Sequence, residues 1–146
     1  MSKPRRIVCY AINGSGLGHL TRLIAVSRWM RRIATLLDGR PPEILFLTSS
    51  DASDVLSRES FAAFKIPSRT AAAKAELNKL EYRRLVKHFV WNTLGVFSPD
   101  LLVVDTFPSG SFDELFQILD GPFKKGRWEK DGGEMILDGN DWVTSE

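Results

Sequence analysis

Apolar residues along this chain come in two alternating patterns: short unbroken runs, and stripes spaced three to four residues apart. "RIVCYAI" (residues 6–12) is a short, β-branched run with no polar alternation. That pattern predicts a strand buried on both faces, as in a parallel sheet. Next, Leu20, Leu23, Ile24, Met30, Ile33, Ala34 and Leu37 fall on one face at helical spacing, with arginines over much of the other. "DGRPP" stops that helix. "EILFLTSS" (residues 43–50) predicts a second buried strand. Asp51 or Ser53 is placed to cap a short helix through "DVLSRESFAAF", and "FKIP" is at most a short third strand. Residues 71–94 read as helical, with Leu77, Leu80, Val86, Phe89, Val90 and Leu94 as buried positions. Pro99 ends that stretch. "DLLVVD" is a clear strand, and "SGSFDELFQIL" reads as a helix with Ser109 or Ser111 near its N-cap.

Strand and helix patterns therefore alternate, which predicts an α/β fold: a Rossmann-like parallel sheet with helices on both faces. The rhythm ends near Gly121. Residues 1–120 are expected to form the Rossmann-like domain. Residues 121–146 form a Gly- and charge-rich tail, read as a hairpin around "DGG" and "LDGN" or an irregular segment, and not as an independent domain. Internal repeats and low-complexity tracts are absent from the sequence.

Composition narrows the class only slightly. With 43% hydrophobic and 26% charged residues over 146 positions, the chain has the make-up of one globular domain. The formal charge of +2 does not imply nucleic-acid binding, and none is expected. The charge is unevenly placed, however: Arg5, Arg6, Arg22, Arg28, Arg31, Arg32 and Arg40 crowd the first quarter. Such a crowd is either a solvated helix face or a surface for lipid phosphates or a partner. The lone Cys9 cannot form an internal disulfide and sits in an apolar run, which favours a buried thiol and a reducing, cytoplasmic setting. The first apolar run is too short for a signal peptide. Nothing approaches the roughly 18 apolar residues of a membrane span, and the best stretch is interrupted by Asn92, Ser98, Pro99 and Asp100. Peripheral membrane contact remains open.

The chemistry-bearing stretch is "INGSGLGHLTR" (residues 12–22), at the carboxyl end of the first strand and the start of the first long helix. Ligands of open α/β sheets bind at that edge, and helix N-termini suit anions. A P-loop is excluded, because His19 and not lysine follows Gly18. Gly14, Gly16 and Gly18 make GxGxG and not the dinucleotide GxGxxG, and the acid after the second strand, Asp51, comes late, behind two serines. A nucleophile elbow lacks its spacing. His19 offers another option. In the first helical turn, near the positive end of the helix, a neutral imidazole can take a proton from a hydroxyl. Asp105, ending "LLVVD", lies at the same sheet edge and is the expected orienting carboxylate. The plainer alternative is that both residues are helix and turn caps. His88, beside Phe89 in the second helical stretch, reads as structural.

"CYAINGSGLGHLTRLIAVSRWMRR", "ILFLTSSDA", "FKIPS" and "SPDLLVVDTFPSGSFDEL", in this order, resemble the N-terminal part of predicted GT-B fold glycosyltransferases. These are relatives of the peptidoglycan lipid-II-forming transferase and the plastid galactolipid synthases. The resemblance covers about residues 5–118. It implies an acceptor-binding half that works in hexosyl transfer from a nucleotide sugar to a hydroxyl acceptor, lipid-linked in some members. Residue by residue, it implies His19 as general base with Asp105 orienting it. Asn13, Gly14, Ser15, Gly16, Gly18 and Arg22 would stand near substrate or phosphate, and Thr106 and Ser109 would line the acceptor pocket. It implies no metal and no cofactor, with backbone amides and helix dipoles stabilising the leaving diphosphate. It also implies that the basic face with Arg28, Arg31 and Arg32 rests on an anionic membrane or holds an acceptor phosphate. The family's donor domain has no counterpart in these residues, and its N-terminal domain is usually longer. The chain is accordingly expected to be a truncated copy, a split-enzyme subunit completed by a donor-domain subunit, or a non-catalytic nucleotide- or phosphate-binding module, with little turnover by itself.

Overall fold

The computed structural model describes residues 3–12, 17–105 and 114–115, together with the backbone of residues 128–129, 134–138 and 141–145. The first apolar run becomes β1 (Arg6–Ala11), buried from Ile7 onward. After it come α1 (Leu17–Asp38), β2 (Glu43–Thr48), α2 (Asp54–Arg58), β3 (Ala62–Lys65), α3 (Arg69–Lys74), α4 (Lys79–Phe97) and β4 (Leu101–Asp105). Strands β1 to β4 are parallel, in the order β3-β2-β1-β4. The fold is thus α/β and Rossmann-like, with helices on both faces of the parallel sheet.

The pleat explains why the strands read as continuous apolar runs. Alternate side chains go to opposite faces, and both faces are covered. Ile7, Cys9 and Ala11 of β1, with Ile44, Phe46 and Val103, pack against Leu20, Leu23 and Ile24 of α1 and Leu56 of α2. Val8, Tyr10 and Ile12, with Leu45, Leu47, Leu102 and Val104, pack against Ala72 of α3 and Tyr82, Val86, Val90 and Leu94 of α4.

Two helical expectations change. Residues 71–94 are not one helix: the chain breaks after Lys74, and α4 restarts under a new cap, where Asn78 Oδ1 accepts from the amides of Leu80 (2.9 Å) and Glu81 (3.2 Å). Leu77 and Leu80, expected inside, flank that cap and are exposed, while Tyr82 is buried in their stead. The α1 stripe is kept at Leu20, Leu23, Ile24 and Ala34, but Ser27 is buried among them, and Ile33 and Leu37 face out. The cause is proximity: the Cys9 Sγ and Ser27 Oγ lie 3.2 Å apart, and only small side chains fit at such an approach. Gly39, at φ +72°, ends α1 in the left-handed conformation, its amide bonded to the Thr35 carbonyl at 2.9 Å. The short helix after the second strand stops at Arg58, and the following "AAFK" supplies β3, so the third strand starts two residues before "FKIP".

Three further strands extend the sheet beyond β4: β5 (Trp128–Glu129), β6 (Glu134–Asp138) and β7 (Asp141–Ser145). β6 pairs antiparallel with β4 and with β7, and β5 pairs parallel with β7. Of the expected helix "SGSFDELFQIL", only Glu114 and Leu115 are among the described residues. Both are buried, and the Tyr10 hydroxyl donates to Glu114 Oε1.

Much of the early arginine crowd is engaged within the fold. Arg5 pairs with Asp38 and Arg6 with Glu43. Arg28 pairs with Glu59, and Arg31 lies over the Phe61 ring at 4.0 Å and donates to the Ser60 carbonyl. Among the described residues no helix is long and apolar enough to cross a membrane.

Candidate functional site

β1 lies between β2 and β4, so the connections leave it in opposite directions across the sheet. Such a switch point opens a crevice at the carboxyl edge of the strands, where ligands of open α/β sheets sit. Asp105 is the last residue of β4 and stands one step beyond the Val104–Tyr10 pair, beside the end of β1. α1 starts at Leu17 above the same edge, which puts His19 in its first turn and Arg22 one turn further along.

These three residues meet. His19 Nδ1 is 3.1 Å from Asp105 Oδ2, and Arg22 Nη1 donates to Asp105 Oδ1 at 2.9 Å. The Asp105 side chain is only 5% exposed, whereas that of Arg22 is 58% exposed. A carboxylate buried to this degree needs compensation. Here each oxygen has a partner, and the guanidinium supplies the charge. An ionised carboxylate only accepts, so the proton shared with His19 sits on Nδ1 and leaves Nε2 as the acceptor nitrogen of the ring. An imidazole locked in that tautomer by a carboxylate can take a proton at Nε2, and the carboxylate stabilises the resulting imidazolium. Arg22 offsets part of that stabilisation, because it already neutralises the same carboxylate.

Sequence reasoning named all three residues. It assigned Arg22 to substrate or phosphate; one guanidinium nitrogen of this exposed side chain donates to Asp105. A methyl group at Gly18 would meet nothing within 4 Å, so among the described residues this glycine adjoins open space and is not relieving a clash. Asn13, Gly14, Ser15 and Gly16, and on the other side Thr106 and Ser109, lie outside the described residues.

The end of β2 carries polar side chains that sequence reasoning passed over. Thr48 Oγ1 donates to the Ala11 carbonyl at 3.0 Å and accepts from the Ser50 amide at 3.1 Å, stitching β2 to β1 past the last ladder bond. Ser49 and Ser50 are buried beside it. The available signal was the "TSS" run closing an apolar strand. Asp51, the residue weighed for a dinucleotide ribose, turns outward to Lys65 at 3.2 Å. Among the described residues, no group of three or more His, Cys, Asp or Glu side chains is arranged to hold a metal.

Comparison with protein-family models, curated proteins and solved structures finds no match to this chain.

Proposed function

We propose that this chain is the acceptor-binding half of a glycosyltransferase, in which His19 is the general base for hexosyl transfer from a nucleotide sugar to a hydroxyl. The observation that carries this reading is the His19–Asp105 contact, at 3.1 Å, at the carboxyl edge of the sheet. His19 Nε2 takes the proton of the acceptor hydroxyl as its oxygen bonds to the anomeric carbon. The bond from that carbon to the diphosphate breaks, and the nucleoside diphosphate leaves with the electron pair. Asp105 holds the ring and stabilises the imidazolium. Arg22 donates to Asp105 Oδ1 and fixes its rotamer. The donor is held by a donor-binding domain, in another part of the protein or another subunit. The likeness of "INGSGLGHLTR" and "SPDLLVVDTF" to the GT-B group supports the choice of hydroxyl acceptor over other proton donors.

The test starts with binding of UDP-, GDP- and TDP-sugars to this chain, alone and with a donor-domain partner, followed by turnover of the reconstituted pair. His19→Ala is expected to lower kcat by roughly a hundredfold or more while leaving nucleotide-sugar affinity intact. Asp105→Asn is expected to lower kcat in the same sense, since an amide cannot stabilise imidazolium. Turnover undiminished in His19→Ala sinks the general-base role. Nucleotide binding by the chain without transfer under any pairing favours a non-catalytic binding module.

A further inference from the structure

Helix α1 carries two apolar stripes, and the sheet covers one of them. Leu20, Leu23, Ile24, Ser27 and Ala34 are buried. Val26, Trp29, Ile33, Leu36 and Leu37 form a second set and are exposed. Trp29 and Leu36 are 61% and 77% exposed, and they stand across the helix from Leu20 and Ser27. Water gains nothing from large apolar side chains held in it, and contiguous apolar surface on a folded chain marks an interaction site.

The spacing of the outer set decides what shape fits it. Val26, Trp29, Ile33 and Leu36 follow at the alternating three- and four-residue steps of heptad positions a and d, and Leu37 adds position e. With that pattern one helix packs on another. Charge decides the chemistry. Arg28 and Arg32 stand along one edge of the seam; Arg28 pairs with Glu59, whereas Arg32 forms no ion pair among the described residues and lies over the Trp29 ring at 5.5 Å. The one acid of α1, Asp38, is engaged by Arg5. The other edge carries Met30. A second copy packed antiparallel on this seam sets the basic edge against itself, and a parallel copy sets it against Met30 and Leu37. Neither arrangement offers Arg32 a carboxylate.

We propose that the outer face of α1 docks an amphipathic helix of a partner protein, apolar along the contact and acidic on the flank that meets Arg32. Apolar side chains of that helix interlock with Trp29, Ile33 and Leu36, and its carboxylates reach the Arg32 guanidinium. Trp29 is the anchor, since a large aromatic side chain at the centre of an interface carries much of its energy. This surface is independent of the glycosyl-transfer reading: none of its residues belongs to the His19–Asp105–Arg22 cluster.

The probe is a pair of synthetic, dye-labelled helical peptides with the same leucine and isoleucine seam, one flanked by glutamate and the other by lysine. The full chain is titrated into each, and fluorescence anisotropy reads binding. The glutamate peptide is expected to bind saturably and more tightly than the lysine peptide, with the gap narrowing as salt is raised. Trp29→Ser/Leu36→Ser should weaken the glutamate peptide roughly tenfold or more, and circular dichroism should show that variant folded. Arg32→Glu supplies a second reading that does not depend on lost binding, because it should invert the preference between the two peptides. Leu80→Ser, on the exposed start of α4, should change neither affinity. No saturable binding of the glutamate peptide, equal binding of the lysine peptide, an unchanged preference in Arg32→Glu, or an equal loss in Leu80→Ser would each overturn the proposal. So would self-association of the chain that Trp29→Ser/Leu36→Ser abolishes in sedimentation equilibrium, or displacement of the peptide by phosphatidylglycerol vesicles.

Discussion

Asp105 holds two cationic or proton-donating partners at once, and its burial makes both necessary. Removing Arg22 would take the guanidinium from Asp105 Oδ1; removing His19 would take the ring from Oδ2. Cys9 shows the opposite use of burial. It lies under α1, and desolvation pushes its thiol up to about 12, with the Ser27 hydroxyl acting in the other direction. Thiolate is the reactive form. In mildly alkaline buffer, iodoacetamide is therefore expected to leave native Cys9 unmodified and to label it fully once the chain is unfolded by guanidinium. Mass spectrometry of the two samples decides this, and rapid native labelling would contradict it. The Tyr10 hydroxyl, buried and pointed at the Glu114 carboxylate, is likewise held far above its ordinary range by desolvation first and by Glu114 second, so it stays a donor at all working pH values.

At the scale of elements, what decides helix boundaries is the fate of the end groups. The first amides of a helix have no internal acceptor, and Asn78 supplies one to two of them. This is why α4 starts where it does, after a break that hydropathy does not reveal. Asn78→Ala is expected to cost about 1 kcal/mol, while Asn78→Gly should cost only a few tenths. Urea unfolding followed by circular dichroism separates the two, and equal losses would mean that the cap is not what stabilises the start of α4. The other end of α4 closes on Ser98 at φ +48°, a conformation more usual for glycine, with the Ser98 amide bonded to the Leu94 carbonyl at 2.9 Å. α1 illustrates a separate point: Ser27 is buried over Cys9, while Ile33 and Leu37 of the expected stripe face out.

For the molecule as a whole, stability rests on a sheet covered on both sides, and a change is felt in proportion to its place in that sandwich. Phe46 is fully buried in β2, with its ring 5.1 Å from that of Phe61. Phe46→Ala should cost about 3–5 kcal/mol through lost burial and the cavity left behind. Leu36 is similar in hydrophobicity but 77% exposed on α1, and Leu36→Ser should stay within about 0.5 kcal/mol. Thermal or urea unfolding of the two variants makes the comparison, and comparable losses would show that the outer face of α1 is covered by something in solution.

The alternation of runs and stripes was enough to read the α/β class, the buried character of β1, β2 and β4, and the meeting of a strand end with a glycine-rich helix start. Those features are local: burial on both faces removes polar alternation, and glycine followed by a helical stripe is written in neighbouring residues. His19 and Asp105 were legible as a pair because parallel strands bring their carboxyl ends to one edge. Three things depended on contacts between residues far apart in sequence. One is the burial of Ser27 on α1, which lies against Cys9 of β1. Another is the diversion of Arg22 to Asp105, across 83 positions. The last is the pairing of Arg28 on α1 with Glu59, across 31 positions. Charge counted along a chain says where arginines are, but only the fold says which of them already have a partner.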